Sequence, residues 1–448
     1  MERVYIDCHH KETGTVYLPE KLYNQTLNQI TFSSQSIECQ VKPHQKKTML
    51  IAEDLWKKCH FPYPSDILVD IDKQTMTVYP LIGIFTTGKL KNSLRPFGER
   101  THEFKHLLSH VHKKGGYAFI FCPNDIDWQN GLIDGLFYCE GWITFKAPFP
   151  NIVYDRIPSR RTDRDPGIKQ MKEKFMHEYG IPWFNSRFFD KWAIYQLLKN
   201  HPLSSQYLPN TEENISLHAI RQFLNLYQSV YLKPKNGSKG LGIKKLEKES
   251  ESLICEYYDQ GQYYKENYKT LSDFIRRHFP GDLLSHYILQ QRICLMKENE
   301  RPLDFRIHTN KDGNGKWRVS AAAAKIAGHN GITTHVAYGG EVKSLYALFS
   351  DRADEYLKKL VHAALTLTEI IDQQSHELIG ELGLDIGIDE DGRIWLFEAN
   401  SRPGHTIFKN PAIRKQDDFV KKLWYDYCCH LTKQTMKHPD WMLSSKPV

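Results

Sequence analysis

The sequence predicts an α/β protein of several lobes, on three observations. Its 448 residues exceed what one simple core organises, so two or three domains are expected. The compact apolar runs LIGIF (81–85) and YAFIF (117–121) bracket a stretch of helical spacing, the pattern of a parallel strand–helix–strand unit. Near the C-terminus, DIGIDEDGRIWLFEANSRPGH (385–405) carries the Asp-Gly turn signal of a β-hairpin.

In chain order, residues 1–76 read as a small β-rich module, because short alternating runs such as VYI and ILVDI are separated by polar turns. Residues 77–165 read as an α/β domain. EFKHLLSHVH has helical spacing and Lys113-Lys114-Gly115-Gly116 stops it. NIVYDRI (151–157) is expected as the last strand of this domain, and the polar SRRTDRDPG (159–167) marks its boundary. Residues 166–292 open with a helix from Asp190 to Lys199, followed by a second at 212–228. The strand SVYLKP, a glycine-rich loop, a returning strand IKKL and a buried strand YILQQRICL (287–295) complete this segment. Residues 293–448 carry the late hairpin. His102, His106 and His110 recur at helical spacing, but no carboxylate or cysteine set accompanies them, so a polar helix face is expected there.

Composition narrows the class. Forty per cent apolar and twelve per cent aromatic residues describe a globular chain. No apolar stretch reaches the length of a membrane span, and MERVYIDCHHKETG lacks the apolar core of a signal peptide, so a cytoplasmic protein is expected. Nine cysteines without a C-x-x-C pair suit free thiols in a reducing compartment. A net charge of +7 suits an anionic ligand such as a nucleotide and does not indicate nucleic acid.

If Asp391-Gly392 forms the hairpin turn, Glu390 pairs with Arg393, Ile388 with Trp395, and Asp385 with Glu398. Two carboxylates facing across a ladder repel unless a cation lies between them. Asn400 lies two residues past Glu398 and shares its face. Oxygen-only donors suit Mg²⁺ or Mn²⁺, and such ions commonly complete their shell with phosphate. An exposed acidic hairpin accounts equally for Asp389, Glu390 and Asp391. It accounts less well for Glu398, which follows the apolar run Ile394-Trp395-Leu396-Phe397. Both readings stand open on the hairpin alone.

The second signal is Asn236-Gly237-Ser238-Lys239-Gly240-Leu241-Gly242, which follows Lys233-Pro234. Glycines let backbone N–H groups turn toward an anion, and Lys233 would add a point charge. The spacing is neither a P-loop nor a dinucleotide fingerprint. A two-strand flap over a nucleotide fits, as does an ordinary glycine-rich hairpin loop.

Taken together, the ordered motifs resemble the ATP-grasp superfamily, and within it the YheC/YheD group of endospore coat-associated proteins. The resemblance runs from about residue 80 through PLIGIFT (80–86), IDWQNGLIDGLFY (126–138), PNIVYDRIPSR (150–160), FDKWAIYQLL (189–198), LPNT (208–211), YLKPKNGSKGLGI (231–243), RPLDFRIHTN (301–310) and the terminal hairpin. It implies an ATP-grasp fold: a pre-ATP-grasp domain at 77–165, an N-terminal lobe with a flap at 166–292 and a C-terminal lobe with a metal site at 293–448.

The resemblance also implies roles. Lys191 and Lys233 are similar to the two phosphate-binding lysines. Gly237, Ser238, Lys239, Gly240, Leu241 and Gly242 resemble the flap over the triphosphate. Gln290, Gln291, Arg292 and Ile293 resemble the strand whose backbone holds adenine, and Phe397 joins the ATP-binding set. Asp385, Glu398 and Asn400 resemble ligands for two Mg²⁺ ions. Arg306 is similar to the arginine beside the transferred phosphoryl group, and it shares a strand face with Asp304. Lys325 stands in the acceptor region where family members tend to carry arginine, and Thr334-His335 stands where they show Thr-Asn. Locally SAAAAKIA (320–327) favours helix, whereas the resemblance implies a strand.

The implied activity is an ATP- and Mg²⁺-dependent carboxylate–amine (or thiol) ligase working through an acyl phosphate, with an amino acid or peptide among its substrates. Spore-coat proteins are implied as partners, at the forespore surface or coat. The alternative is a nucleotide-binding spore-envelope scaffold without turnover.

Overall fold

The computed structural model describes residues 2–441 apart from 238–239, 329–333 and 335–338, so Ser238, Lys239 and His335 lie outside the described residues. Four sheets follow one another along the chain. The first, eight-stranded, spans Glu2–His9 to Thr75–Tyr79 and carries one helix, Glu53–Cys59. Its alternating burial puts Val4 and Ile6 inside, as period-2 patterning requires.

The second sheet has a parallel core. Leu81–Phe85 lies between Tyr117–Phe121 and Ile152–Asp155. All three strands are wholly buried, which explains their unbroken apolar runs. Helix Thr101–Lys114 makes the crossover and stops at Gly115, where φ is +96°. Ile152–Asp155 is not the last strand of this sheet. Beyond the polar segment the chain returns, and Trp183–Phe184 pairs in parallel with it. The apolar run behind that pairing, IPWF, is too short to separate from a loop by periodicity.

The third sheet is antiparallel, with Tyr287–Gln291 and Lys244–Lys248 flanking Ser229–Pro234. The strand expected over 287–295 ends at Gln291. Past it, Leu295 makes only an isolated bridge, to Asp389. Ser216 caps the helix Leu217–Tyr227, a shorter span than the sequence pattern marks.

The fourth sheet runs Glu341–Lys343, Trp317–Ile326, Arg301–Lys311, Glu381–Ile388, Ile394–Asn400. The alanine run is a strand, because Ala322 and Ala324 pack into the core on one face while Ala321 and Ala323 meet Phe408 and Val420 on the other. Tertiary packing overrides helix propensity here. Helices Lys191–Lys199 and Ala353–Gln374 close the first face through Ile194, Leu198, Leu360 and Leu367. The helix Arg414–Lys437 packs Trp424, Tyr427 and Cys428 against Ile82, Ile84 and Tyr154 of the second sheet. It therefore ties the fourth sheet to the second. All nine cysteines are free.

Candidate active site

Asp385 and Glu398 are register partners on the late hairpin. The turn between them differs from the sequence expectation. Gly392 N–H donates to Asp389 O, and Asp389 N–H to Arg393 O, both at 3.0 Å. Gly392 has φ +81°. The loop therefore runs from Glu390 to Gly392, so Glu390 does not pair with Arg393, and Ile388 pairs with Ile394 rather than Trp395. The Asp389 carboxylate organises this turn. It accepts from Asp391 N at 3.1 Å, Arg393 N at 2.8 Å and Trp395 Nε1 at 2.8 Å. A β-bulge then leaves Phe397 between Leu396 and Glu398 without a register partner. The two shifts cancel, and the carboxylates still meet. Asn400 Nδ2 reaches Asp385 Oδ2 at 3.5 Å.

Four cations surround this pair. Arg306, register partner of Asp385 on the neighbouring strand, grips it with Nε to Oδ1 at 3.0 Å and Nη2 to Oδ2 at 2.9 Å. Lys325 Nζ lies 2.8 Å from Asp385 Oδ1 and 2.9 Å from Asp304 Oδ1. Asp304 therefore pairs with Lys325, not with its strand neighbour Arg306. Burial pushes the Asp385 carboxyl up, but Arg306 and Lys325 outweigh it and hold the group well below the usual range. At Asp304 burial wins and the carboxyl is raised despite Lys325. Thr334 Oγ1 donates to its other oxygen at 2.6 Å.

Lys191 is placed by a cap. Asp190 Oδ1 accepts from Trp192 N at 2.9 Å and Ala193 N at 3.1 Å, which makes Lys191 the first helical residue. Its ammonium reaches Glu398 Oε1 at 2.7 Å and Gly237 O at 2.9 Å. Lys233 rises from the third sheet, donates to Gln290 Oε1, and lies over the Phe397 ring at 5.4 Å. Desolvation and the nearby Lys191 push its ammonium down to about 8. Gln290 is buried, and its Nε2 donates to Thr211 Oγ1 at 2.9 Å.

Lys191, Lys233, Gln290, Asp304, Arg306, Lys325, Asp385, Phe397, Glu398 and Asn400 line one cleft of roughly 1840 Å³ between the third and fourth sheets, which also takes in Gln291, Arg292, Ile293 and Gly240. Gly237, Leu241 and Gly242 stand outside its lining. At Gly242, with φ +75°, a Cβ would sit 3.0 Å from Pro234 Cγ, so the turn requires glycine there. The donor set fits a hard divalent cation: two carboxylates and an amide oxygen on one hairpin. Among the described residues no group of three or more His, Cys, Asp or Glu is placed to hold a metal ion, so a cation here would rest on Asp385, Glu398 and Asn400.

A match to the family described as YheC/D-like ATP-grasp covers residues 180–431. The chain belongs to the YheC/YheD-type ATP-grasp family. It is 36% identical over 449 residues to the endospore coat-associated protein YheD of Bacillus subtilis (strain 168), covering 98% of each chain. It is 24% identical over 304 residues to YheC of the same organism, across 64% of this chain and 81% of that one. Among solved structures it is similar to D-alanine–D-alanine ligase from Bacillus anthracis, with TM-score 0.47 and 13% identity, across 81% of this chain and 100% of that one.

For this ATP-grasp chain the sequence reading missed a buried network beneath the cleft. Glu381 accepts from Tyr154 Oη and lies 3.2 Å from Arg156 Nη1, while Arg156 also pairs with Glu103. Arg156 and Tyr154 belong to the quoted YDRIPSR motif. Their partners are about 50 and 225 residues away, at separations that no local pattern reveals.

Proposed function

We propose that the chain is an ATP- and Mg²⁺-dependent ligase that joins a carboxylate to an amine, or to a thiol, through an acyl phosphate. The carrying observation is the convergence of Lys191 on Glu398 and of Arg306 and Lys325 on Asp385 within one cleft that Lys233 also enters. Phosphoryl transfer asks a protein mainly for positioning and charge neutralisation, and these side chains are of that kind.

In this reading Lys191 and Lys233 neutralise the triphosphate, with Gly240 beside it. The segment Gln290–Ile293 and Phe397 border the adenine. Asp385, Glu398 and Asn400 would hold the metal, two Mg²⁺ ions or Mn²⁺, whose chemistry is to spread the phosphate charge. A substrate carboxylate oxygen attacks the γ-phosphorus and ADP leaves, with Arg306 beside the moving phosphoryl group. An amine then attacks the acyl carbon, phosphate departs, and the nitrogen gives up a proton. Lys325 stands on the acceptor side. Residues 166–292 and 293–448 are then the two ATP-grasp lobes, 77–165 the preceding domain and 1–76 an added module. The names of the YheD and YheC relatives support work at the endospore coat or forespore surface, with an amino acid, a peptide or a coat protein as substrate.

The test is ADP release from Mg·ATP against pools of amino acids and peptides, beside thermal melting with Mg·ATP. Release that requires an acceptor supports ligation. Stabilisation without acceptor-dependent release favours a nucleotide-binding scaffold, and melting curves unmoved by saturating Mg·ATP count against nucleotide binding.

A further inference from the structure

The cleft continues past the nucleotide region toward the preceding domain, where Ser159, Arg160, Arg161, Phe188 and Arg402 line it. The sequence places Ser159 and Arg160 at the end of the PNIVYDRIPSR motif and marks 159–167 as a boundary, with no binding role for Arg160 or Arg161. The structure makes the start of that stretch a wall of the cleft.

Two guanidinium groups lie against one ring. The Arg160 guanidinium lies 5.0 Å from the Phe188 centroid, and that of Arg402 lies 4.5 Å from it. Arg402 is anchored: Nε donates to Asn185 O at 2.9 Å, and Nη2 lies 3.0 Å from both Asp155 and Asp163. Its remaining nitrogen, Nη1, is buried without a partner. A buried unpaired donor is costly. Among the described residues the Arg160 side chain makes one hydrogen bond, Nη1 to Phe189 O at 2.7 Å. Among the described residues neither Arg160 nor Arg161 forms an ion pair, whereas the two aspartates at Arg402 are balanced by Arg402 and Lys172. The wall thus presents planar guanidinium forks without a direct carboxylate partner at Arg160 and Arg161 among the described residues, and such forks match carboxylate geometry. The wall and the hairpin carboxylates Asp385 and Glu398 line the same cleft.

The geometry points to a subsite on Arg160, Arg161 and Arg402 for a carboxylate of the non-nucleotide substrate that is remote from its reacting group. This deepens the ligase reading and rests on it. It names the substrate class as a compound with more than one carboxylate, either a small diacid or an acidic peptide.

The probes are glutarate and tri-glutamate, with glutaramide and tri-glutamine as uncharged counterparts. Each is titrated by calorimetry into protein saturated with Mg·ADP, so that the nucleotide region is already filled. Binding by glutarate or tri-glutamate, weakened about tenfold or more by Arg160→Ala, is the expected result, since a bond to a charged group supplies enough energy for that factor. Arg160→Lys is expected to recover only part, because the fork is lost. Arg161→Ala, at an exposed position, checks the same subsite without touching the core. Glutarate binding alone marks a small diacid, and tri-glutamate alone an acidic peptide. The subsite is overturned if neither acid binds, if the amides bind as well, if the variants leave acid binding unchanged, or if Arg160→Ala weakens Mg·ADP equally. Failure of Mg·ADP to bind while an Arg160-dependent acid still does would sink the ligase reading and leave the anion subsite standing.

Discussion

Lys191 and Glu398, 207 residues apart in sequence, meet at 2.7 Å. The contact joins the first residue of a helix to the second strand of the hairpin, and the same ammonium holds Gly237 O. One lysine therefore links the carboxylate pair to the glycine turn. Under the proposed function, Mg·ATP binding would exchange this lysine–carboxylate bond for lysine–phosphate and carboxylate–metal bonds.

Glu398→Ala is expected to abolish stabilisation by Mg·ATP. At a hundredfold excess over Kd a ligand adds about 2.7 kcal/mol to the native state, which thermal melting reads as a rise of several degrees. Glu398→Gln keeps an acceptor for Lys191 but lacks the charge for a metal, so it should lose the ligand shift and melt near wild type without ligand. A full shift in both variants would remove Glu398 from the site.

The lowered pKa of Lys233 gives a pH dependence with a defined sign. Its folded value, about 8, lies below that of a free lysine, so the native state disfavours the proton. This penalty is complete below pH 8 and is relieved between about 8 and 10.5, so Lys233 makes the ligand-free protein relatively more stable as pH rises through that window. Phosphate binding needs the charged form. Mg·ATP affinity should therefore fall from pH 7.5 to 9.5 in the wild type and stay flatter in Lys233→Arg, measured by calorimetry. Parallel profiles for the two proteins would contradict the assignment.

Part of this arrangement is legible in the sequence. The helix opening at Asp190, the Lys233-Pro234 step into the glycine-rich loop and the facing acid pair are local patterns, and local patterns survive translation into structure. The hairpin shows how narrow that legibility is. The Asp391-Gly392 signal misplaced the turn by one residue, because the Asp389 side chain recruited three donors, and a bulge at Phe397 restored the facing pair. What stayed hidden is non-local. Nothing near Asp304 announces Lys325, and nothing near Arg156 announces Glu381, because those partners are set by sheet order and not by sequence spacing.

Asp385→Ala should destabilise the ligand-free protein by about 3–5 kcal/mol, the cost of leaving buried cations without their carboxylate. Arg306 and Lys325 are only 17% and 15% exposed at the side chain, so water offers little compensation. Adding Arg306→Met to this background should recover part of the loss, because the charge left without a carboxylate is removed, whereas Lys325 keeps Asp304 at 2.9 Å. Asn400→Ala removes only a long 3.5 Å contact and should cost under about 1 kcal/mol. Urea denaturation distinguishes these cases, and equal losses for Asp385→Ala and Asn400→Ala would refute the ordering.

Glu381 joins the second sheet to the fourth through Tyr154 and Arg156, and its lowered carboxyl gives that contact an acid dependence. Burial pushes its carboxyl up, but His405, Arg156 and Tyr154 together bring it below the usual glutamate value. A carboxyl lowered in the folded state contributes stability that is present above its unfolded pKa, near 4.5, and is lost as pH falls through the folded value. Glu381→Gln keeps the shape and removes the charge. Arg156 retains Glu103 in that variant, so the loss should lie at the low end for a broken buried pair, about 3 kcal/mol at pH 7. The gap between wild type and variant should then narrow as pH falls from 5.5 to 3.5, since protonation removes the same charge that the substitution does. Urea midpoints at the two pH values decide it. A gap that stays constant across them would place the acid sensitivity elsewhere and leave Glu381 as a packing residue.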